Sequence, residues 1–224
     1  MRFTFLLLLS GLVMAQPVTV EIESLPLGKP KEPLSKPITL MIDNFEDGDH
    51  TRFRNWWSFD KVVMGIAKNE DSKTLYIEDT SLEVNGSSNN WYAGGIGTYL
   101  NEDAQHFSVL KLVIYSPKIN SGALRIELYD DDNNNKIVDI DEEKSIPSKD
   151  DLFIYDLNLM WEGWKVVSIP LSDFVDFNPE VGDNTWNPNQ RYGSSGLTQI
   201  QIVILSSKLK SETIQFKIDT IKLN

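Results

Sequence analysis

From Ile38 onward the chain is a succession of short runs in which apolar and polar residues alternate, and no stretch keeps a helical period long enough to compete. Period-two alternation marks strands half buried on a sheet, because successive side chains leave opposite faces. The runs fall at residues 39–42, 62–67, 74–78, 82–84, 91–100, 109–115, 124–129, 165–171, 200–205 and 214–223, with 157–164 ambiguous. Clusters rich in Asn, Asp, Gly and Pro separate them, at 44–49, 85–90, 117–122 and 178–196. The pattern predicts an all-β fold, a two-sheet antiparallel β-sandwich over residues 38–224, long enough for one sizeable core.

The last run carries an irregularity. Ile214, Phe216 and Ile218 share one parity, whereas Ile221 and Leu223 share the other. A β-bulge at Asp219–Thr220 keeps all five on the inward face and turns Asp219 out of the regular ladder.

A second irregular stretch is LRIELYDDDNNNKIVDID, residues 124–141. Leu124, Ile126 and Leu128 point one way and Arg125, Glu127 and Tyr129 the other, after which the chain becomes a run of oxygen-bearing side chains. Asp130, Asp132 and Asn134 occupy positions 1, 3 and 5 of a twelve-residue loop. Asn135 stands at position 6, Lys136 offers a backbone carbonyl at position 7, and Asp141 closes position 12. This spacing is near that of a calcium loop, with Asn in place of the turn glycine and Asp in place of the closing Glu. The alternative is a solvated acidic hairpin. Calcium is thus an expected structural cofactor.

Residues 1–15 read as a signal peptide, with Arg2, an apolar core from Phe3 to Val13, and a small-residue end at Ala15. Residues 16–37 hold Pro17, Pro26, Pro30, Pro33 and Pro37 and form a Pro-rich linker or arm. The expected location is therefore secreted, periplasmic or cell surface, with no membrane span once the signal is removed. The chain has no cysteine, which rules out a disulfide framework. Its formal charge of −12 disfavours nucleic acid and anionic lipid as partners.

Three segments carry a resemblance: IDNFEDG at 42–48, GWKVVSIPLSDF at 163–174 and FKIDTI at 216–221. In this order they resemble galactose-binding-like jelly rolls, in particular family 11 carbohydrate-binding modules and complex I intermediate-associated protein 30-like domains. The resemblance spans residues 38–224. It implies a structural calcium between the first acidic turn and the last strand, held by Glu46 and Asp219, with Asp43 and Asp47 nearby. Independently of it, Pro170 cannot donate to a ladder, which places its strand at an edge or at its end.

Recognition of a sugar calls for exposed aromatic faces beside amides, carboxylates or Arg. The candidates are Trp91 and Tyr92 beside Gly94 and Gly95, Trp186 and Tyr192 in the long 178–196 loop, and Arg125 with Glu127 on the outward face of their strand. Of the adjacent pair Trp56 and Trp57, one must face inward; Trp56 is expected to pack and Trp57 to be freer. His50 and His106 lack a partner motif, and no phosphate loop or nucleophile elbow is present. The sequence thus predicts an exported, non-catalytic carbohydrate-binding domain stabilised by calcium. The competing reading is a structural protein of the cell envelope or flagellar sheath, built on the same jelly roll and bound to a protein partner.

Overall fold

The computed structural model describes residues 39–69, 77–88, 90–191, 193–206 and 212–224. The expected signal and arm, most of the 74–78 run and Tyr192 lie outside these residues. The strands are β1 (Leu40–Asp43), β2 (Trp57–Asp60), β3 (Val62–Lys68), β4 (Thr80–Ser88), β5 (Tyr92–Glu102), β6 (Val109–Ser116), β7 (Ala123–Asp131), β8 (Ile140–Asp141), β9 (Ile146–Pro147), β10 (Asp151–Asn158), β11 (Gly163–Pro170), β12 (Val175–Asp176), β13 (Gly196–Leu205) and β14 (Glu212–Leu223). Among the described residues the only helical element is a single 3-10 turn at Leu171–Asp173.

Two antiparallel sheets stack face to face in a β-sandwich. The first has the order β11-β6-β14-β4-β3, with β1 also paired to β14; the second has the order β12-β10-β7-β13-β5-β2. Neighbours distant in sequence dominate both sheets, as in a jelly roll. The short hairpin β8–β9 stands apart from both.

The alternation read from the sequence sets what faces inward. Leu124, Ile126 and Leu128 of β7 stand opposite Ile204, Ile202 and Ile200 of β13, and all six are fully buried. Leu110, Leu112 and Ile114 of β6 and Leu82 and Val84 of β4 line the core from the other sheet. Burying a side chain of this size contributes about 1.5–3 kcal/mol, and this apolar layer is what holds the sheets together.

The expected bulge is present. The pairing of β14 with β6 shifts register between Ile218 and Ile221. Ile214, Phe216, Ile218, Ile221 and Leu223 are all buried as a result. The irregularity also divides the other edge of β14: β4 pairs with it as far as Ile218, and β1 takes over from Ile221. Pro170 ends β11, the edge strand of the first sheet, where its missing N–H costs no ladder bond.

Besides the two-residue strands β8, β9 and β12, two strands, β2 and β10, were not apparent in the sequence. In β10, inward Phe153, Tyr155 and Leu157 interleave with outward Leu152 and Ile154, so apolar residues on both faces hide the period. In β2 the strand is only four residues long, too short for a pattern.

Candidate functional site

The face of the second sheet opposite the core carries a continuous row of aromatic and polar side chains. Ladder pairing builds it residue by residue. Trp57 and Phe59 of β2 stand opposite Gly97 and Gly95 of β5. Gly97 in turn faces Gln201 of β13, and Tyr99 faces Gln199. Gln201 lies beside Glu127 of β7, Gln199 beside Tyr129 and Val203 beside Arg125. Across the next ladder Glu127 meets Ile154 and Arg125 meets Asp156 of β10. In β5, β7 and β13 these positions alternate with buried residues such as Ile96, Ile126 and Ile202, so one pleat places them on the same side, and the ladders set β2 and β10 in register with them.

The two glycines let the rings lie down on the sheet. A Cβ at Gly97 would come within 2.6 Å of Trp57 Cη2, and one at Gly95 within 2.8 Å of Phe59 Cε1. Trp57 and Phe59 are 5.8 Å apart by ring centroid, and Trp57 and Tyr99 6.1 Å. Tyr99 is 57% exposed. Together the three rings form an apolar platform at one side of the face.

The polar side is held in place by its own bonds. Arg125 clamps Asp156 with two hydrogen bonds, Nε to Oδ1 at 2.7 Å and an Nη2 to Oδ2 bond at 3.0 Å, and its guanidinium lies 5.2 Å from the centre of the Phe177 ring. The Tyr129 hydroxyl donates to Glu127 Oε2 at 2.8 Å. Burial holds the Glu127 carboxyl above its usual range, and the Tyr129 bond and Arg125 oppose that rise. A fixed Arg, a carboxylate and two amides therefore sit within one or two strands of the rings, an arrangement suited to a ligand with one apolar face and many hydroxyls.

Of the residues singled out from sequence, Arg125 and Glu127 lie in this row, and Trp57 is freer than Trp56 as expected. Trp56 is buried and donates its Nε1–H to Asp43 Oδ2 at 2.9 Å. Trp91 and Tyr92 sit at the start of β5, their ring centroids 4.4 Å apart, with Trp91 46% exposed. A hydrogen bond to Asp60, the last residue of β2, raises the Tyr92 hydroxyl pKa and ties the pair to the end of the aromatic platform. Trp186 does not join the face. It packs edge-on against buried Phe153, with centroids 5.4 Å apart, because the loop that carries it folds over the open end of the sandwich. Phe59, Tyr99, Gln199, Gln201 and Asp156 were not singled out. The alternation of Gln199 and Gln201 with Ile200 and Ile202 was the available signal.

The acidic stretch folds differently from a twelve-residue calcium loop. Asp131 organises it: its carboxylate accepts the backbone N–H of Asn133, Asn134 and Lys136 and the hydroxyl of Ser195. Asn134 and Lys136 are exposed at positive φ, the left-handed conformation the turn requires. Asp141 turns away into the β8–β9 hairpin, where its Oδ1 accepts the N–H of Glu143 and Lys144. Asp132 instead meets Asp151 and Asp183, whose carboxylate oxygens all lie within 4.8 Å of one another. Asp130, opposite Asp151 in the ladder, adjoins this group closely enough to feel the charges of all three. Burial and the charges of Asp132, Asp151 and Asp183 push Asp130 up to about 8. Burial, with Asp151 and Asp183, pushes Asp132 up to about 7, and burial raises Asp151 to about 6.

Glu46 and Asp219 share a different patch. Glu46 accepts the N–H of Asp79 and Thr80, and Asp219 accepts that of Glu78 at 3.0 Å. Burial, with the charges of Glu46 and Glu78 adding to it, raises Asp219 to about 6. The carboxylates at this end of the sandwich are thus already engaged by backbone and side-chain donors, Asn69 and Thr220 among them.

No family model and no curated protein matches the sequence. Among solved structures, the fold is similar to the family 11 carbohydrate-binding module from Clostridium thermocellum in complex with β-1,3-1,4-mixed-linked tetrasaccharide, at 17% identity over 83% of this chain and 94% of that one, with a TM-score of 0.48. It is also similar to TmCBM61 in complex with β-1,4-galactotriose, at 12% identity over 81% and 93% with a TM-score of 0.43. A third is the non-crystalline cellulose specific module CBM28, at 12% identity over 80% and 90% with a TM-score of 0.45. At such identities the ligand of this chain is a question for its own side chains.

Proposed function

We propose that this chain is a non-catalytic carbohydrate-binding domain whose binding surface is the outward face of the second sheet. The observation that carries the reading is the single row of Trp57, Phe59 and Tyr99 followed by Gln199, Gln201, Glu127, Arg125 and Asp156. Flat rings suit the C–H faces of a pyranose, while amides, a carboxylate and a guanidinium suit its hydroxyls. From β2 to β10 the row crosses four strand spacings of ~4.8 Å, or roughly 19 Å, the length of an oligosaccharide segment and more than a single sugar needs. The cluster of Asp132, Asp151 and Asp183 at one end of the sandwich suits calcium, a cation that prefers oxygen ligands, acting on the fold rather than on the glycan. The apolar segment at residues 1–15 supports export, where extracellular glycans are met.

A glycan-array screen of the chain without residues 1–15, followed by calorimetry on the positive glycans, tests the reading. Binding that Trp57→Ala and Tyr99→Ala each weaken, with melting little changed, is the expected result. Glycan binding that survives both substitutions, or no binding to any glycan, overturns it. Loss of assembly with a protein partner in the same variants would support the envelope reading in its place.

A further inference from the structure

Four aspartates converge where β7 ends and β10 begins, beneath the loop of residues 177–195. Asp130 and Asp151 are direct cross-strand partners, at the ends of the inward rows that run from Leu128 and Phe153. Asp132 leaves β7 just beyond them, and Asp183 comes from the loop. No Lys, Arg or His among the described residues forms an ion pair with any of the four; the ion pairs lie elsewhere, at Arg54–Glu102, Arg125–Asp156, Lys144–Asp141 and Lys149–Asp139.

Clustering alone would not mark a site, since a hydrogen-bonded acidic turn can look the same. Two further observations point to a ligand. Asp130 and Asp151 are wholly buried, and each keeps one oxygen, Oδ1, without a hydrogen-bond donor. The other oxygen of each is taken by the loop backbone: Asn187 N–H donates to Asp130 Oδ2 at 2.7 Å and Thr185 N–H to Asp151 Oδ2 at 3.1 Å. A buried carboxylate oxygen facing other carboxylates with no donor is a costly group to leave unmet, and a cation is the partner that meets several at once. The second observation is Gly182, held at φ +68, in the left-handed region. A Cβ there would collide with Asp151 Oδ1 and Asp132 Oδ2, so only glycine keeps the space beside these oxygens free of a side chain.

We propose that Asp130, Asp132, Asp151 and Asp183 form a divalent-cation site, with calcium as its ion, that fastens the 177–195 loop to the ends of β7 and β10. The donor set is all oxygen and mostly anionic, with no imidazole or thiolate, which selects a hard cation. Calcium accepts a flexible shell of six to eight oxygens at 2.3–2.6 Å, whereas magnesium demands a near-octahedral one and sheds water reluctantly. Asp183 is exposed and on the loop, while Asp130 and Asp151 lie in the sheet, so the ion joins the loop to the strands. This deepens the calcium part of the proposed function and does not depend on the glycan part.

The test is a calorimetric titration of chelator-treated protein with calcium chloride, together with melting curves in chelator and in calcium. The variants are Asp151→Asn, Asp183→Asn and Asp141→Asn. Asp183→Asn, on the exposed loop, remains informative even if Asp151→Asn folds poorly. One equivalent of bound calcium should disappear in Asp151→Asn and in Asp183→Asn and remain in Asp141→Asn, which lies outside the site. Neutralising one carboxylate also relieves repulsion, so Asp183→Asn should melt above the parent in chelator and below it in calcium. If Asp183→Asn and Asp151→Asn both bind as many calcium ions as the parent, or if Asp183→Asn melts higher under both conditions, the ligand set is overturned. Failure of the parent itself to bind calcium overturns the calcium reading as a whole, whatever the glycan array shows.

Discussion

The indole of Trp57 lies over Gly97, the residue opposite it in the β2–β5 ladder, so closely that a methyl group on that glycine would stand 2.6 Å from Cη2 and 2.7 Å from Cζ2. The ring is therefore supported from below by backbone rather than by another side chain. Gly97 has no positive φ, so alanine is conformationally allowed there, and its cost falls on the ring. Gly97→Ala should lift the indole off the sheet and weaken glycan binding. Trp57→Ala should cost about 1–2 kcal/mol of binding, the range of an aromatic anchor. Calorimetry beside thermal melting checks both, and a Gly97→Ala protein that binds its glycan like the parent would show that the ring's height on the sheet is irrelevant.

Arg125 and Asp156 form a two-bond clamp at the other end of the row. Asp156 is largely open to water, with 45% of its side chain exposed, so the pair should add little to stability, about 0.5 kcal/mol. Arg125→Ala should therefore melt close to the parent. It should still weaken glycan binding, because it removes a donor set and frees Asp156 to move. Arg125→Lys keeps the charge but not the planar fork, and should restore only part of the affinity. Full binding by Arg125→Ala would remove the clamp from the recognition surface.

The four-aspartate group makes a prediction about pH that does not require a ligand. Asp130, Asp132 and Asp151 are raised from 3.8 to about 8, about 7 and about 6 in the folded chain. A carboxyl with a raised folded value holds its proton more tightly when folded, so it favours the fold below its unfolded value and loses that contribution as pH rises through the folded one. In chelator, melting temperature should fall between about pH 4 and pH 8 and then level off. Calcium should flatten the decline, since it binds the ionised form of the folded state. A chelated protein that grows more stable from pH 5 to pH 8 would contradict the arrangement.

Much of the fold was legible because a sandwich writes its core as alternation. The inward rows of β6, β7, β13 and β14, and even the bulge after Ile218, follow from residue parity alone. The proposed binding face was legible only in part, for a physical reason. A strand's outward residues can be read from its own sequence, but which strands lie side by side cannot, so Arg125 and Glu127 could be placed on a face while their neighbours Gln199, Gln201 and Asp156 could not. The same limit governed the acids. Spacing along residues 130–141 suggested a local loop, whereas the acids that Asp132 meets, Asp151 and Asp183, are supplied by other parts of the chain. Trp186 shows the complementary difficulty, since an aromatic in a long polar loop looks exposed until the loop is seen folded over the end of the core.

That placement of Trp186 gives the last prediction. Its ring meets Phe153 edge-on at 5.4 Å and is half-buried against the core, while Trp91 at the start of β5 is 46% exposed and touches Tyr92. Truncating a packed aromatic removes transfer free energy and leaves a cavity, so Trp186→Ala should cost about 3 kcal/mol of stability, near the lower end for a large core aromatic because the site is not fully enclosed. The same loop carries Asp183 and the backbone N–H groups of Thr185 and Asn187 that hold Asp151 and Asp130. Loosening it should weaken calcium binding as well, whereas the proposed glycan face lies on the opposite side of the sheet and should keep its affinity in folded protein. Trp91→Ala, in contrast, should change melting by less than about 0.5 kcal/mol. Urea unfolding of the two variants, with calcium and glycan titrations at a temperature where both are folded, separates these effects. If Trp186→Ala instead lost glycan affinity while melting like the parent, the 177–195 loop would be part of the recognition surface and not a cover for the core.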